Sequence, residues 1–516
     1  MNIKQELEKR LQMPVSVSEF DGVDFQCNEC LKRFDLDAQT IADRFNKDNA
    51  DFAKAFIKNK FINFILSNKT LTDAAHFILR EKKLPLAAVK PQKVFFDYGG
   101  ANIAKAMHIG HLRSAIIGEA LKRLFEDFGH TTVSDVYLGD WGLQMGLVIA
   151  YLLENKLDID GITLNDLNEI YPAASKLKDE SERFYNLASD ITARLQKLEQ
   201  PYYGIWERLR KISLTDIRKN YELLNCTFDY YNGESSYQKY TAEVLEKLRP
   251  YTNLSDGALI IEVGLNVPMI LQKRNGGNLY ATSDVAAIYA RAGEFTPDRF
   301  IYITDSRQAF HFKQLFSCAK IGKLVGKDTE LTHIPYGSIN DKDGRPFKTR
   351  EGGTIKFSDV ITGDKIQLAA VKFADFINNV RKDYIFDLDK ATMNEGKTGV
   401  YLLYTLVRIK SILSKAGKFD IDLDANLIDD DTRKIFTSII KLAESYTIAL
   451  NTLTLNNIAD GIYDLAAAFS SFYANRKILK EEDGGRRNFY LSICLAVKTA
   501  LEFGLKTLAI TFVDKM

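Results

Sequence analysis

The chain has 516 residues, 46% of them hydrophobic and 27% charged, with a formal net charge of +1. That length exceeds the roughly 250–300 residues at which one core stops growing, so several domains are expected. No apolar run approaches the roughly 18 residues of a membrane span, the start carries no apolar signal core, and near-neutrality excludes a whole-molecule electrostatic grip on nucleic acid.

The expected class is therefore a multidomain cytoplasmic protein whose polar sites are local. Five cysteines fit a reducing compartment. Cys27 and Cys30 form a CxxC without the second ligand pair a zinc site needs, so they read as plain thiols.

Residues 1–88 read as a small α+β domain, with Phe61, Ile62, Phe64 and Ile65 as its apolar patch. Pro85 and Pro91 sit among charges and suit a linker. Val94 to Tyr98 is a β-prone run followed by Gly99 and Gly100, then a helical pattern from Met107 to Phe128, then a second strand over Thr131 to Leu138. Strand, turn, helix, strand is the unit of a doubly wound, Rossmann-type parallel sheet, so residues 89–367 are expected to form an α/β domain. A charged helical stretch at about 157–225 reads as an insertion. Gly257 to Glu262 and Val267 to Lys273 predict an antiparallel hairpin, with Asn275, Gly276 and Gly277 as turn residues. Phe300 to Thr304 predicts another buried strand. From Leu368 to residue 516 the pattern is helical almost throughout, which predicts an α-helical bundle.

The chemistry starts at His108, Ile109, Gly110 and His111, where the first helix of this unit opens. A helix N-terminus offers free amides and partial positive charge to a triphosphate, imidazoles add donors, and a glycine lets a flat base lie against the backbone. Far downstream, residues 341–353 read DKDGRPFKTREGG, a glycine-bounded basic loop able to fold over phosphates.

Together these resemble the HIGH and KMSKS signatures of class I aminoacyl-tRNA synthetases. The second is degenerate: Pro346, Phe347, Lys348, Thr349 and Arg350 stand in its place, with threonine for the usual second lysine. That departure is characteristic of the arginyl-tRNA synthetases, in which a lysine just before HIGH, here Lys105, is thought to supply the missing charge. FFDYGGAN at 95–102 is similar to a family block, with Gly99, Gly100 and Ala101 replacing the commoner serines and proline. LGDWGLQMG at 138–146, YATSD at 280–284 and DSRQAFH at 305–311 look like further blocks.

An arginine side chain is a planar cation that wants carboxylates in a fork. Asp97 and Asp284 can supply that charge. The resemblance implies that Tyr280 and Gln308 complete the pocket, that Asn102 holds the α-amino or carboxylate end, and that His311 serves the ATP site with His108, Gly110, His111, Phe347 and Lys348. Lys105, Lys348, Thr349 and Arg350 would then neutralise the phosphates. Read singly, Asp284 is equally an N-cap for a helix over 285–292 and Tyr280 a strand aromatic. His76, His130 and His333 lie outside every matched block and read as structural.

In the C-terminal part, Tyr401, Tyr404, Arg408, Tyr473 and Arg476 mix aromatics with cations, as stacking of unpaired bases requires. A solvated helix face over an aromatic core is the alternative. YLLYTLVRIKSI and FSSFY look like the family's anticodon-binding domain, and residues 1–88 resemble its domain for the tRNA elbow. The resemblance implies ATP with Mg2+, L-arginine and tRNA(Arg) as reactants, an arginyl-adenylate intermediate, and a monomeric enzyme.

Overall fold

The computed structural model describes residues 2–33, 35–105, 107, 109–274, 277, 279–341, 344–345 and 363–516, with Ile109 and Tyr280 described by backbone alone. Four strands open the chain: β1 (Ser16–Val17), β2 (Phe25–Cys27), β3 (Ala53–Lys58) and β4 (Phe61–Leu66), all antiparallel in the order β1-β2-β4-β3. Asn59 and Lys60, both at positive φ, make the two-residue turn that matches the twist of β3 and β4. Phe64 of β4 meets Phe45 of the helix Ala38–Asn49 edge-on at 5.1 Å. The helix Asn68–Glu81, capped by Ser67, shares its core with the C-terminal helices. Two side-chain pairs add to that junction: Arg433 to Asp24 at 2.6 Å and Asn2 to Glu444 at 2.7 Å.

The parallel sheet begins with β5 (Lys93–Asp97) and β6 (Thr131–Asp135), joined by the helix Ile109–Asp127. Beyond β6 the chain bridges Asp135 to Tyr230 and Leu138 to Gly233 in parallel, which brings residues 230–233 to that edge of the sheet. Between them lie four helices, Leu143–Glu154, Leu164–Glu180, Glu182–Gln196 and Tyr202–Leu223, sharing a core that includes Trp141, Met145 and Trp206. Residues 164–223 are thus helical almost throughout, as their charge and periodicity predict.

Residues 252–272 differ from the expected single hairpin. β7 (Thr252–Ser255), β8 (Ala258–Ile261) and β9 (Met269–Gln272) form a three-stranded antiparallel sheet. Its tight turn is Asp256–Gly257, both at positive φ, an Asp-Gly signal of the kind that specifies such turns. The β8–β9 connection falls at residues 262–268, before the sequence-predicted turn; of that turn, Asn275 and Gly276 lie outside the described residues.

β10 (Arg299–Asp305) then returns to the parallel sheet beside β5, and β11 (Glu330–Tyr336) completes it in the order β11-β10-β5-β6. Sequence patterning did not reveal β11. Thr332, His333 and Pro335 interrupt its apolar run, which an edge strand tolerates. Short strands β12 (Ile339–Asn340) and β13 (Tyr384–Ile385) pair in parallel, a strand within the stretch expected to be helical. The remainder is the helical bundle: Lys365–Phe376, Gly399–Ala416, Asp430–Thr452, Asn456–Ala474 and Gly484–Thr507. Among the described residues no helix is long and apolar enough to cross a membrane.

Candidate active site

Three parallel strands end in carboxylates: Asp97 closes β5, Asp135 closes β6 and Asp305 closes β10. The chain runs from β5 to β6 on one side and returns at β10 on the other, so the order switches between β5 and β10. Ligands bind in the crevice at such a point. Two helices start at this edge, Ile109–Asp127 after β5 and Ala309–Ile321 after β10, and the positive end of each helix dipole favours anions.

The turn leaving β5 is built for this approach. Gly99 and Gly100 take φ of 94° and 59°, a left-handed backbone that glycine adopts without strain, and a Cβ on Gly99 would lie 2.7 Å from the Tyr221 hydroxyl. The departure from the commoner serines therefore has a local geometric reason. The Gly99 amide donates to Ser114 Oγ at 2.9 Å, and that hydroxyl donates to the Ile303 carbonyl at 2.8 Å. Asn102 bridges Gly139, where any Cβ would fall 2.1 Å from Asn102 Oδ1. The insertion holds the next residues: the Ala104 amide donates to Ser213 Oγ at 2.9 Å, and Lys105 Nζ lies 5.4 Å from the Tyr171 ring. Gly110 accepts from the Tyr336 hydroxyl at 3.4 Å, and His111 is buried in the first helical turn. His108, Phe347, Lys348, Thr349 and Arg350 lie outside the described residues.

The deepest charges are satisfied internally. Arg291, 1% exposed, places Nη1 at 2.6 Å from Asp97 and Nη2 at 2.8 Å from Asp135. Its Nε donates to the Tyr237 hydroxyl at 3.1 Å, which in turn donates to Asp135 at 3.0 Å. Burial pushes the Asp97 carboxyl up to about 6; Arg291 opposes this, while Asp135 and Asp284 add to it. The carboxylate expected from sequence to face a substrate cation is thus already holding a guanidinium of the protein.

Asp284 stands otherwise. It lies in the second turn of the helix Tyr280–Phe295, whose N-cap is Leu279, so it does not cap that helix, and Tyr280 opens the helix instead of ending a strand. Tyr280, Asp284 and Arg291 follow one face at helical spacing. β9 sets that helix in place, because the Leu271 carbonyl accepts from both the Leu279 amide and the Thr282 hydroxyl. Half-buried Asp284 bonds His311 Nε2 at 2.6 Å. Burial disfavours the His311 cation, but the bond and charge of Asp284 prevail and its pKa is raised. His333 stacks on Phe312 at 4.4 Å and bonds Thr304 at 2.8 Å; burial and the nearby His311 push its pKa down to about 4. Gln308 is exposed, at the end of the single turn that leads into the His311 helix.

Sequence reading missed Glu234. It follows Asn232 and Gly233, which read as an ordinary turn, and it opens the short helix Glu234–Tyr237 as many solvated acids do. Its environment comes from the neighbouring strand extension. Asp140 accepts from the Ser235 amide at 3.0 Å and its hydroxyl at 2.8 Å, pairs with Arg210 at 3.0 Å, and presses so closely on residue 233 that only glycine fits. Glu234 is thereby held half-buried. Burial, with the Asp284 and Asp140 charges, pushes its carboxyl up to about 8. Among the described residues no lysine or arginine pairs with Glu234 or Asp284, whereas Asp97, Asp135 and Asp140 each have one.

The C-terminal residues divide. Arg408 lies over the rings of Tyr404 at 4.5 Å and Tyr473 at 5.1 Å and donates to the exposed Tyr404 hydroxyl at 2.6 Å. Tyr401 instead bonds Ser470 at 2.8 Å between helices, and Arg476 is held by Asp429 at 2.5 Å and Asp431 at 3.4 Å.

The family model for the catalytic domain of class I tRNA synthetases (R) matches residues 74–365, and the DALR anticodon binding domain model matches residues 402–516. An arginine–tRNA ligase of Alkaliphilus oremlandii is 37% identical, covering 88% of this chain and 86% of its own. One of Agathobacter rectalis is 34% identical, covering 96% and 94%. The chain belongs to the class I arginyl-tRNA synthetases. Solved arginyl-tRNA synthetases share the fold over the whole length: that of Plasmodium falciparum at a TM-score of 0.82 and 23% identity, covering 100% of this chain and 99% of its own, and that of Thermus thermophilus at 0.83 and 20%, covering 99% and 100%. Within this family the β5 turn, the Asp284 helix and the Arg408 surface are parts of one enzyme architecture.

Proposed function

We propose that this chain attaches L-arginine to tRNA(Arg) with ATP as the energy source, holding the arginine guanidinium between Glu234 and Asp284. One observation carries the pocket. The charge of Asp284 helps push the half-buried Glu234 carboxyl up, and neither acid has a lysine or arginine partner among the described residues, Asp284 meeting only the His311 imidazole, while every deeper acid of the crevice has an arginine. A planar cation arriving between them forms charge-assisted bonds and relieves the repulsion. Asp97 then acts through Arg291, keeping the pocket's charge where the substrate binds. Tyr280 and Gln308 complete the pocket, Asn102 holds the α-amino or carboxylate end, and His311 orients Asp284.

In the first step the arginine carboxylate attacks the ATP α-phosphorus in line and pyrophosphate departs. His108, Gly110, His111 and Lys105, with Phe347, Lys348, Thr349 and Arg350, bind ATP and neutralise that leaving group. In the second step the terminal adenosine 2′-hydroxyl attacks the adenylate carbonyl and AMP departs. Mg2+ is expected with ATP and supplies charge neutralisation on the phosphates. Tyr404, Arg408 and Tyr473 contact the anticodon loop, while Tyr401 and Arg476 hold the helices that present them. Residues 1–88 take the tRNA elbow, 89–367 catalyse and 368–516 read the anticodon; the enzyme acts as a cytoplasmic monomer.

Aminoacylation of a tRNA pool with each amino acid in turn tests this reading. Charging confined to arginine and ATP is expected. Charging with another amino acid, or none with arginine, would overturn it.

A further inference from the structure

The reaction above makes no use of Glu119, which is 0% exposed on the helix Ile109–Asp127. Its Oε2 accepts from the Tyr98 hydroxyl at 2.8 Å and the Thr227 amide at 2.9 Å and lies 3.0 Å from Lys122 Nζ, while its Oε1 accepts from Arg123 Nε at 2.7 Å. Burial works against the charge of this carboxyl, but Lys122, Arg123 and the Thr227 amide outweigh it and the pKa is lowered. The Tyr98 ring packs so closely on the same helix that a Cβ at Gly118 would fall 2.2 Å from it.

Arg123 carries the contact outward. Nη1 donates to the Lys506 carbonyl and Nη2 to the Asn225 carbonyl, both at 2.9 Å. Lys506 stands in the last turn of the helix Gly484–Thr507 of the C-terminal bundle. Further bonds fasten that end of the bundle to the α/β domain: Asn225 Nδ2 donates to the Ala509 carbonyl at 3.2 Å, and the Thr507 hydroxyl donates to Asp127 at 2.6 Å. Lys410, on the helix that carries Arg408, pairs with Glu502 at 3.9 Å, one turn before Lys506. A bonded path therefore runs from the Arg408 helix through the helix Gly484–Thr507 and Arg123 to Glu119 and Tyr98, whose next residue is Gly99 in the turn leaving β5. Thr227, held also by Lys122 at 2.9 Å, lies on the segment that leads to Glu234. A guanidinium can hold a carboxylate and two carbonyls at fixed angles; an ammonium cannot.

We propose that Glu119 and Arg123 are positioning residues that fix the turn after β5, and with it the crevice, against the last turn of the C-terminal bundle. The proposal rests on the catalytic reading above: tRNA held by the bundle meets the crevice at a set distance, so a loosened joint slows charging of bound tRNA without weakening the grip on it. Lysine at 123 keeps a cation beside Glu119 but cannot also hold both carbonyls. Tyr98→Phe removes the hydroxyl on the other side and leaves the ring against Gly118.

The experiment is charging of full-length tRNA(Arg) by the full chain with arginine and ATP saturating. The kcat, divided by the folded fraction from circular dichroism, is read separately from the tRNA Kd by filter binding. Charging by the parent is the control; its absence would overturn the functional reading, whereas the outcomes for the variants bear on the joint. For Arg123→Lys the expected result is a fall of about fivefold or more in kcat, with the tRNA Kd changed less than about twofold. Tyr98→Phe should lower kcat in the same way and serves where the lysine variant does not fold. The double variant should fall little below the worse single one, because both act on one carboxylate. Unchanged kcat per folded molecule with only a lower melting temperature, as a purely structural role requires, would overturn the proposal. So would a loss of tRNA affinity as large as the loss of kcat, or losses in kcat that multiply in the double variant.

Discussion

Asp97 and Asp135 are buried against Arg291, while Asp284 and Glu234, in the same crevice, are half-buried and share no arginine or lysine among the described residues. Both pairs are carboxylates set close enough to feel each other. The deeper pair has its cation built in: the guanidinium meets two carboxylates and a tyrosine hydroxyl at once, and offsets part of the burial cost that pushes Asp97 up to about 6. In the outer pair burial and the Asp284 charge push Glu234 up to about 8, so it gives up its charge until a cation arrives. An acid pair with a resident partner is structural; one that waits for a partner selects its ligand.

Two substitutions can break this contrast. Arg291→Ala should have the largest effect, because it leaves two buried acids facing each other; about 3–5 kcal/mol of stability is expected to go, read by urea unfolding. Arginine binding would be measurable only in the molecules that remain folded. Asp284→Asn should come next. Losing one charge-assisted contact costs about 1.5–3 kcal/mol, roughly a 10- to 150-fold rise in the arginine KM, with the ATP KM changed only a few-fold. Equal loss for both substrates would show that Asp284 does not face the guanidinium. The same division is testable on the C-terminal surface. Tyr404→Ala removes an exposed ring under Arg408 and should raise the tRNA KM by the equivalent of about 1–3 kcal/mol, whereas Arg476→Ala breaks partly exposed ion pairs with Asp429 and Asp431 and should cost about 1 kcal/mol of stability or less, with a smaller change in the tRNA KM than Tyr404→Ala gives.

The sequence made the strand-turn-helix unit, the helical insertion and the bundle legible, because each rests on local periodicity and on glycines at turns. The sequence reading put Asp284 in the arginine pocket and His311 with ATP, whereas the fold hydrogen-bonds the two to each other. Arg291 and Glu234 were not legible, for a shared reason. Arg291 sits mid-helix, where an arginine ordinarily reads as solvated, and only the meeting of β5 with β6 supplies its two acids. Glu234 looks like an exposed helix-start acid until the Leu138–Gly233 bridge carries it against the crevice. β11 escaped because its edge position permits residues that a central strand excludes. What local pattern cannot convey is which long-range partner a charge will meet.

The contrast between the acid pairs also has a pH signature, smaller than the effects of substitution. With a pKa pushed up to about 8, by burial first and by Asp284 and Asp140 next, Glu234 carries a proton in the free protein at neutral pH. A bound guanidinium favours the ionised form, so arginine binding releases that proton. The arginine KM should therefore fall by up to about tenfold per unit as pH rises toward 8 and flatten above it. Folding is linked in the opposite sense. The folded pKa lies above the unfolded value, so this group's stabilising contribution is complete below the unfolded carboxylate range and is lost as pH rises through about 8. Glu234→Gln removes the titrating proton: the variant should melt higher than the parent above pH 8 in the absence of arginine, and its arginine KM should lose the slope attributed to Glu234. A parent KM that is flat from pH 6.5 to 8.5, measured with ATP and tRNA saturating, would mean that Glu234 does not meet the substrate cation, and the pocket would then rest on Asp284 alone.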